Sequence, residues 1–400
     1  MASSSRLTNK PGSVVRGPDF FGREQELKEL WDLLDRVSVL MLAARRVGKT
    51  SLLWRMLEQP AAGWKCIVLS LEDLESESAF VARLLEEACR LAPKGTWAFK
   101  LRRGLRQLLD KVQGLAAGPL KVQLAREIGV EWREDAETIL EILHGLEHRT
   151  LVLLDEFPIF IQLLLRGDDG EGRAQSFLKW FRAQRLDPRL TGDQIRFLLT
   201  GSVGLDAVLR AAGMSSHIND LGLYSLRPFS TEVAEAFLER LAEGEGIVLD
   251  EAMRQRILEL VDWPIPFHLQ LLFQQVRLAV HHRNEPPSVE LVNRAHQALL
   301  AADHRKPLNH WVSRLRETSV SQAEHDLKRE ILAAAARDQH GVSSRSVLQL
   351  RRVHPPQLNG NDVLATLEYD GYLMKVGARW CFASSLLRAW WLKWVATRER

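Results

Sequence analysis

Lys49 and Thr50 close the run Ala43-Ala44-Arg45-Arg46-Val47-Gly48-Lys49-Thr50, which follows directly on the apolar stretch Val39-Leu40-Met41-Leu42. A short aliphatic strand, a tight loop and then the helix-prone Ser51-Leu52-Leu53-Trp54 is the layout of a phosphate-binding loop. In such a loop the backbone N–H groups turn inward toward phosphate oxygens, and the following helix N-terminus adds partial positive charge. Lys49 is placed to reach the β- and γ-phosphates, and the Thr50 hydroxyl to ligate Mg²⁺. The first glycine of the usual pattern is replaced by Ala43, whereas Gly48 is kept. A second reactive constellation lies about a hundred residues on. Leu151-Val152-Leu153-Leu154 ends in Asp155-Glu156, and four consecutive aliphatics suit a strand buried on both faces of a parallel sheet. Ligands bind at the carboxyl ends of such strands. Asp155 would therefore hold Mg²⁺, directly or through water, and Glu156 would orient and deprotonate an attacking water. Taken alone, the acidic pair fits equally well as the cap of a core strand. Together with residues 43–50 it reads as the second half of a nucleotide site.

The elements that must position these groups alternate. Residues 38–42, 65–71, 149–155, 195–202 and 221–226 read as strands, and helical stretches separate them. After Ser230, a plausible N-cap, the chain reads helical to about residue 305. Three further helices follow, Leu327–Ala335, Ser343–Leu350 and Asn359–Leu367, and residues 371–382 read as a two-stranded turn. That order predicts a leader (1–18, polar and flexible), an α/β core (19–228, with a helical insertion at about 93–148), a helical domain (229–305) and a winged helix (306–400).

Composition sets bounds. Four hundred residues exceed one comfortable core, so several domains are expected. With 46% hydrophobic and 26% charged residues and a net charge of +3, the chain has an ordinary globular mix that neither requires nor excludes nucleic acid. Cys66, Cys89 and Cys381 have no metal or disulfide spacing, which points to a reducing cytoplasm. No uncharged apolar run is long enough to span a membrane, and Met1-Ala2-Ser3-Ser4-Ser5-Arg6 lacks a hydrophobic signal core. Four of the 12 tryptophans (Trp380, Trp390, Trp391, Trp394) crowd the C-terminus, where a helix packing its apolar face is favoured over an exposed patch. The basic cluster Lys100, Arg102, Arg103 and Arg106 reads first as a solvated helix face and second as a partner contact.

These features together resemble the archaeal-type ATPases of the STAND and AAA+ branch of P-loop proteins, over most of the chain. Phe20-Phe21-Gly22-Arg23-Glu24-Gln25-Glu26-Leu27 is similar to that family's N-terminal box, so the resemblance places Phe21, Gly22 and Arg23 at an adenine pocket. Arg45-Arg46-Val47-Gly48-Lys49-Thr50-Ser51 looks like its phosphate loop, Ala43 being a tolerated variant. Leu153-Leu154-Asp155-Glu156 looks like its Mg²⁺ strand, and Thr200-Gly201-Ser202 resembles its sensor strand, which makes Ser202 a candidate contact to the γ-phosphate or the attacking water. Without the resemblance, Ser202 is a strand-end serine bonding local backbone. Pro266 falls where the family has a Gly-x-Pro motif against the base, although Pro264 stands in the glycine's place. The resemblance implies a P-loop ASCE-type parallel sheet sandwiched by helices, with the sensor strand between the phosphate-loop and Mg²⁺ strands. A helical lid and a C-terminal winged-helix domain would follow.

Phosphoryl transfer is catalysed mainly by charge neutralisation and in-line placement of water. Lys49, Mg²⁺ on Thr50 and Asp155, and Glu156 as base form the minimal set. A second positive charge is missing; Arg182, Arg185, Arg189 and Arg210 are candidates, serving this site or that of a neighbouring copy in a homo-oligomer. Slow hydrolysis suits an ATP/ADP switch acting on a protein partner. Two alternatives stand beside it: a DNA-associated ATPase of origin-recognition type, and a nucleotide-stabilised scaffold. Against DNA, the third C-terminal helix offers Asn359, Asn361, Asp362, Thr366 and Glu368 but no Lys or Arg.

Overall fold

The computed structural model describes residues 6–91, 125–166, 168–189, 191–201, 209, 213–301, 306–319 and 321–396. The chain divides into two compact units. One is formed by Glu24–Leu42 and Leu52–Ser225, the other by Met1–Arg23, Ala43–Ser51 and Leu226–Arg400.

The first unit is built on a sheet. In chain order its elements are α1 (Glu24–Leu34), β1 (Val39–Leu42), α2 (Lys49–Glu58, whose first residues belong to the other unit), β2 (Trp64–Ser70), α3 (Glu77–Ala88), α4 (Trp132–His144), β3 (Arg149–Asp155), α5 (Phe157–Arg166), α6 (Gly170–Leu186), β4 (Ile195–Gly201) and β5 (Gly222–Ser225). All strand pairings are parallel, in the order β2-β3-β4-β1-β5. Parallel neighbours need long crossovers, which is why helices intervene between successive strands. The two central strands carry the aliphatic runs: every residue of β4 and all but the first of β3 are buried, as a strand covered on both faces requires. The expected place of the sensor strand, between the phosphate-loop strand and the acidic strand, is the observed place of β4. An aromatic cluster fills the space between helices and sheet. Phe177 of α6 is fully buried, with its ring 5.1 Å from Phe80, 5.1 Å from Phe160, 5.9 Å from Trp132 and 5.8 Å from Phe181.

The second unit is mostly helical. Its elements are α7 (Thr231–Glu245), α8 (Glu251–Val261), α9 (Pro266–Arg283), α10 (Val289–Leu299), α11 (Lys306–Glu317), α12 (Gln322–Arg337), β6 (Val342–Ser343), α13 (Ser344–Arg351), α14 (Gly360–Tyr369), β7 (Leu373–Val376), β8 (Arg379–Phe382) and α15 (Ser385–Trp391). Helix starts are written in the sequence: Ser230, Asp250, Ser288, Ser321, Ser343 and Ser384 each accept a backbone N–H from the first turn of the helix that follows. Helices α12 to α14 with the β7–β8 hairpin form a winged helix. The expected two-stranded turn is in fact three-stranded, because Val342 and Ser343 pair with Trp380 and Arg379. Two residues are too short a run to show strand periodicity. The C-terminal tryptophans pack inward, with Trp390 and Trp391 at most 1% exposed and Trp394 Nε1 donating to the Leu300 carbonyl at 3.1 Å. The segment ahead of α1 is anchored as well. Leu7 is buried, the Thr8 N–H donates to Asp19 at 2.8 Å, and the Val15 N–H donates to Ser51 Oγ at 3.1 Å. The basic cluster at 100–106 lies outside the described residues, as does most of the expected insertion. Among the described residues no helix is long and apolar enough to cross a membrane.

Truncating Phe177 to Ala should cost about 3–5 kcal/mol, because it empties the centre of the aromatic cluster where no neighbour can collapse inward. A denaturant midpoint shift corresponding to less than about 1 kcal/mol would show that the cluster is not the core of this unit.

Candidate functional site

The site begins at the carboxyl edge of the sheet. Parallel register aligns Met41 of β1 with Thr200 of β4, and Leu154 of β3 with Leu199 of β4, so Asp155 and Thr200 are level where the strands end. Asp155 is only 7% exposed and is held from both sides. Its carbonyl accepts the Leu71 N–H at 3.0 Å just beyond β2, and its Oδ1 accepts the Thr200 hydroxyl at 2.6 Å. Glu156 follows at φ +59°, a left-handed conformation that costs a non-glycine residue on the order of 1 kcal/mol. That turn lets its carbonyl accept the Ile159 N–H at 3.0 Å and start α5. Pro158, in the first turn of α5, closes against β4. A side-chain carbon on Gly201 would lie 2.3 Å from Pro158 Cδ, so only glycine permits this approach.

The strand β1 leads directly into residues 43–50. Two residues in this loop, Arg46 (φ +66°) and Gly48 (φ +106°), have positive φ, the backbone habit that turns successive N–H groups to one side. Lys49 is buried at the first position of α2, and its Nζ donates to the carbonyls of Ala43 (3.0 Å) and Ala44 (3.2 Å), so the ammonium sits across its own loop. Val47 is buried and its carbonyl accepts from Arg23 Nη2 at 3.1 Å. Arg23 also lies over the Phe229 ring at 4.5 Å, and Phe21 packs 5.6 Å from Phe237. The 20–24 box thus ties the loop to α7. Arg46 stacks 4.7 Å over Phe267, the residue after Pro266 at the start of α9, and donates to the Gly12 carbonyl at 3.2 Å.

The winged helix also reaches this loop. Gly371, at φ +81° after α14, lies against Ala44, and a Cβ there would come within 2.7 Å of the Ala44 Cβ. The residue before it, Asp370, is 2% exposed. Lys328, Arg314 and, more weakly, Arg45 surround it with positive charge. Yet Lys328 Nζ bonds Glu324 and the Thr318 carbonyl, and the Thr318 hydroxyl donates to the Arg314 carbonyl. Burial therefore prevails, and the Asp370 carboxyl is pushed up to about 6. Across the loop His268 is also buried. Desolvation, and then the charge of Arg46, drive it down to about 4.

The sequence-derived residues fall into three groups. Loop residues 43–51, the box 21–23 and Pro266 come together in one unit, whereas Asp155 and Glu156 stand at the sheet edge of the other. Ser202 and Arg210 lie outside the described residues. The candidate second arginines are committed elsewhere. The Arg185 side chain is 1% exposed and makes a two-pronged pair with Asp220 that Arg182 joins at 3.7 Å, and Arg189 pairs with Asp187. Thr200, His268, Asp370 and Gly371 were not singled out from sequence. Thr200 alone carried a signal, as a hydroxyl residue at the polar end of an aliphatic strand. Hard oxygen donors such as Thr50 and Asp155 suit Mg²⁺, which uses few protein ligands and keeps its waters. Among the described residues there is no group of three or more His, Cys, Asp or Glu side chains that could hold a metal ion.

The sheet order, the lid helices and the winged helix define an ASCE P-loop α/β fold of the kind found in AAA+ ATPases. A Walker-type ATPase of Pyrococcus abyssi is similar with TM-score 0.65 and 18% identity, covering 96% of this chain and 97% of that one. At this identity the likeness shows the fold alone. Cdc6p of Pyrobaculum aerophilum (12% identity, 98% and 96% covered, TM-score 0.46) and the Orc1 protein of Aeropyrum pernix solved with DNA (14%, 98% and 97%, TM-score 0.43) are weaker matches. No protein-family model and no curated protein matches the chain.

Asp370 and His268 pull stability in opposite directions over one pH window. The folded state holds extra proton on Asp370 between its ordinary 3.8 and about 6, so that contribution is lost as pH rises through this range. The folded state holds less proton on His268 between about 4 and 6.5, so that contribution is lost as pH falls. Asp370→Asn should leave stability rising with pH from 4 to 6.5, and His268→Phe should leave it falling from 4 to 6, each by up to about 3 kcal/mol. Parallel profiles for the two variants in chemical denaturation would refute this assignment.

Proposed function

We propose that this chain binds ATP with Mg²⁺ and hydrolyses it slowly, as a nucleotide-dependent switch whose winged helix is an interaction module for a protein partner. The loop 43–50 and Lys49 take the phosphates. Thr50 and Asp155 hold the metal, which neutralises phosphate charge. Glu156 activates water, and Ser202 is the sensor. Phe21, Gly22, Arg23, Ser51 and Pro266 surround the base. The observation that carries the switch reading is the seat of Gly371 on Ala44, with Arg45 acting on the buried Asp370. A phosphate loop touching the interaction module passes any rearrangement on to it. The Pyrococcus abyssi relative supports the ATPase reading through its fold. Free Cys66, Cys89 and Cys381, the first two with thiols pushed up to about 12 by burial, fit a reducing cytoplasm.

The DNA alternative is weakened by what the basic residues of the winged helix already do. Arg351 donates to the Leu358 carbonyl at 2.8 Å, Arg379 pairs with Asp338 at 2.6 Å, and Lys375 lies 5.6 Å over Trp380. Asp362 and Glu368 on α14 would repel phosphates. The scaffold alternative assigns no chemistry to Glu156, the carboxylate that follows the strand-end Asp155.

Glu156→Gln should lower ATP turnover on the order of 100-fold or more while ATP still binds. Undiminished hydrolysis would remove Glu156 from the mechanism. Turnover measured with and without duplex DNA at low salt should be unchanged, and a DNA-stimulated rate would restore the alternative. The mass of the particle in ATP and in ADP will show whether a second copy joins the cycle.

A further inference from the structure

We propose that Thr200 is the positioning residue for the metal-binding carboxylate of Asp155, a role that rests on the nucleotide reading above. The bond is short (2.6 Å) and buried, with Thr200 fully inaccessible and Asp155 nearly so. A carboxylate that deep must be hydrogen-bonded to remain charged. A hydroxyl meets this need without adding positive charge of its own. It also fixes rotation about the last side-chain bond. The Asp155 backbone is already pinned by the Leu71 N–H, so the carboxylate plane has little freedom left. Mg²⁺ demands near-ideal octahedral geometry, and a ligand oxygen set in advance serves it better than one that must be ordered on binding. Charge-assisted hydrogen bonds of this type are the strong ones.

A buried threonine at this place has simpler uses, and the geometry argues against them. Filling space on the sheet would need only the methyl groups of valine, which is an equally good strand former. Bonding a backbone carbonyl of its own chain is the ordinary habit of threonine hydroxyls, as Thr138, Thr191, Thr318 and Thr366 illustrate here. Thr200 reaches instead across to the next strand, to one oxygen of one acidic side chain.

The test uses the full chain and reads binding, not turnover. Nucleotide affinity is measured by calorimetry over a Mg²⁺ titration, and again with the metal chelated. Thr200→Val should raise the half-saturating Mg²⁺ concentration about 10- to 100-fold, the usual consequence of losing a partner that orients a metal ligand. Metal-free nucleotide affinity should not change. Thr200→Ser, which keeps the hydroxyl and drops the methyl, should recover most of the loss. A Thr200→Val protein with the wild-type Mg²⁺ requirement would overturn the proposal, and so would a Thr200→Ser protein as impaired as the valine variant. Wild-type protein that binds nucleotide with no Mg²⁺ dependence would overturn the nucleotide-metal reading itself.

Discussion

The acidic half of the candidate site depends on how the Asp155 carboxylate is held at the end of a buried strand. An isolated carboxylate there is expensive. The sheet offsets part of that cost by alignment: parallel register brings the Thr200 hydroxyl level with the Asp155 carboxylate, while the Leu71 N–H holds the Asp155 backbone carbonyl. The order β2-β3-β4-β1-β5 is therefore more than a fold descriptor. The strand β1 stands on the far side of β4 from β3.

Much of this was legible in the residues because it rests on local rules. Four aliphatics followed by two acids specify a buried strand with a charged end, and the structure places β3 there. Ser230 ahead of an apolar periodicity marks a helix start, and its side chain caps α7. What escaped was non-local. Asp370 looks like any acid after a helix until Lys328, Arg314 and Arg45 are found around it. His268 sits in a mostly apolar helix and reveals its burial only in three dimensions. The polar leader gave no sign that Leu7 is buried or that Val15 reaches Ser51, since its anchors are scattered backbone contacts rather than a periodic face. The four arginines proposed as a second cation were chosen by position along the chain, and the structure shows Arg182, Arg185 and Arg189 paired with nearby aspartates.

The loop itself is held by side chains from three directions within its own unit. Arg23 bonds the Val47 carbonyl, Arg46 joins Gly12 to Phe267, and Gly371 leans on Ala44. Such a loop has few independent ways to move. The box, the lid helix α9 and the winged helix all contact it.

Burial of two thiols has a practical corollary. Alkylating reagents attack thiolates, and a thiol pushed up to about 12 is almost never ionised at neutral pH, so Cys66 and Cys89 are protected by chemistry, and the buried Cys66 by access as well. Cys381 is only half-buried and lies on the wing strand β8. A maleimide fluorophore would settle there without any engineering of the sequence, giving an optical reporter on the wing in the native protein.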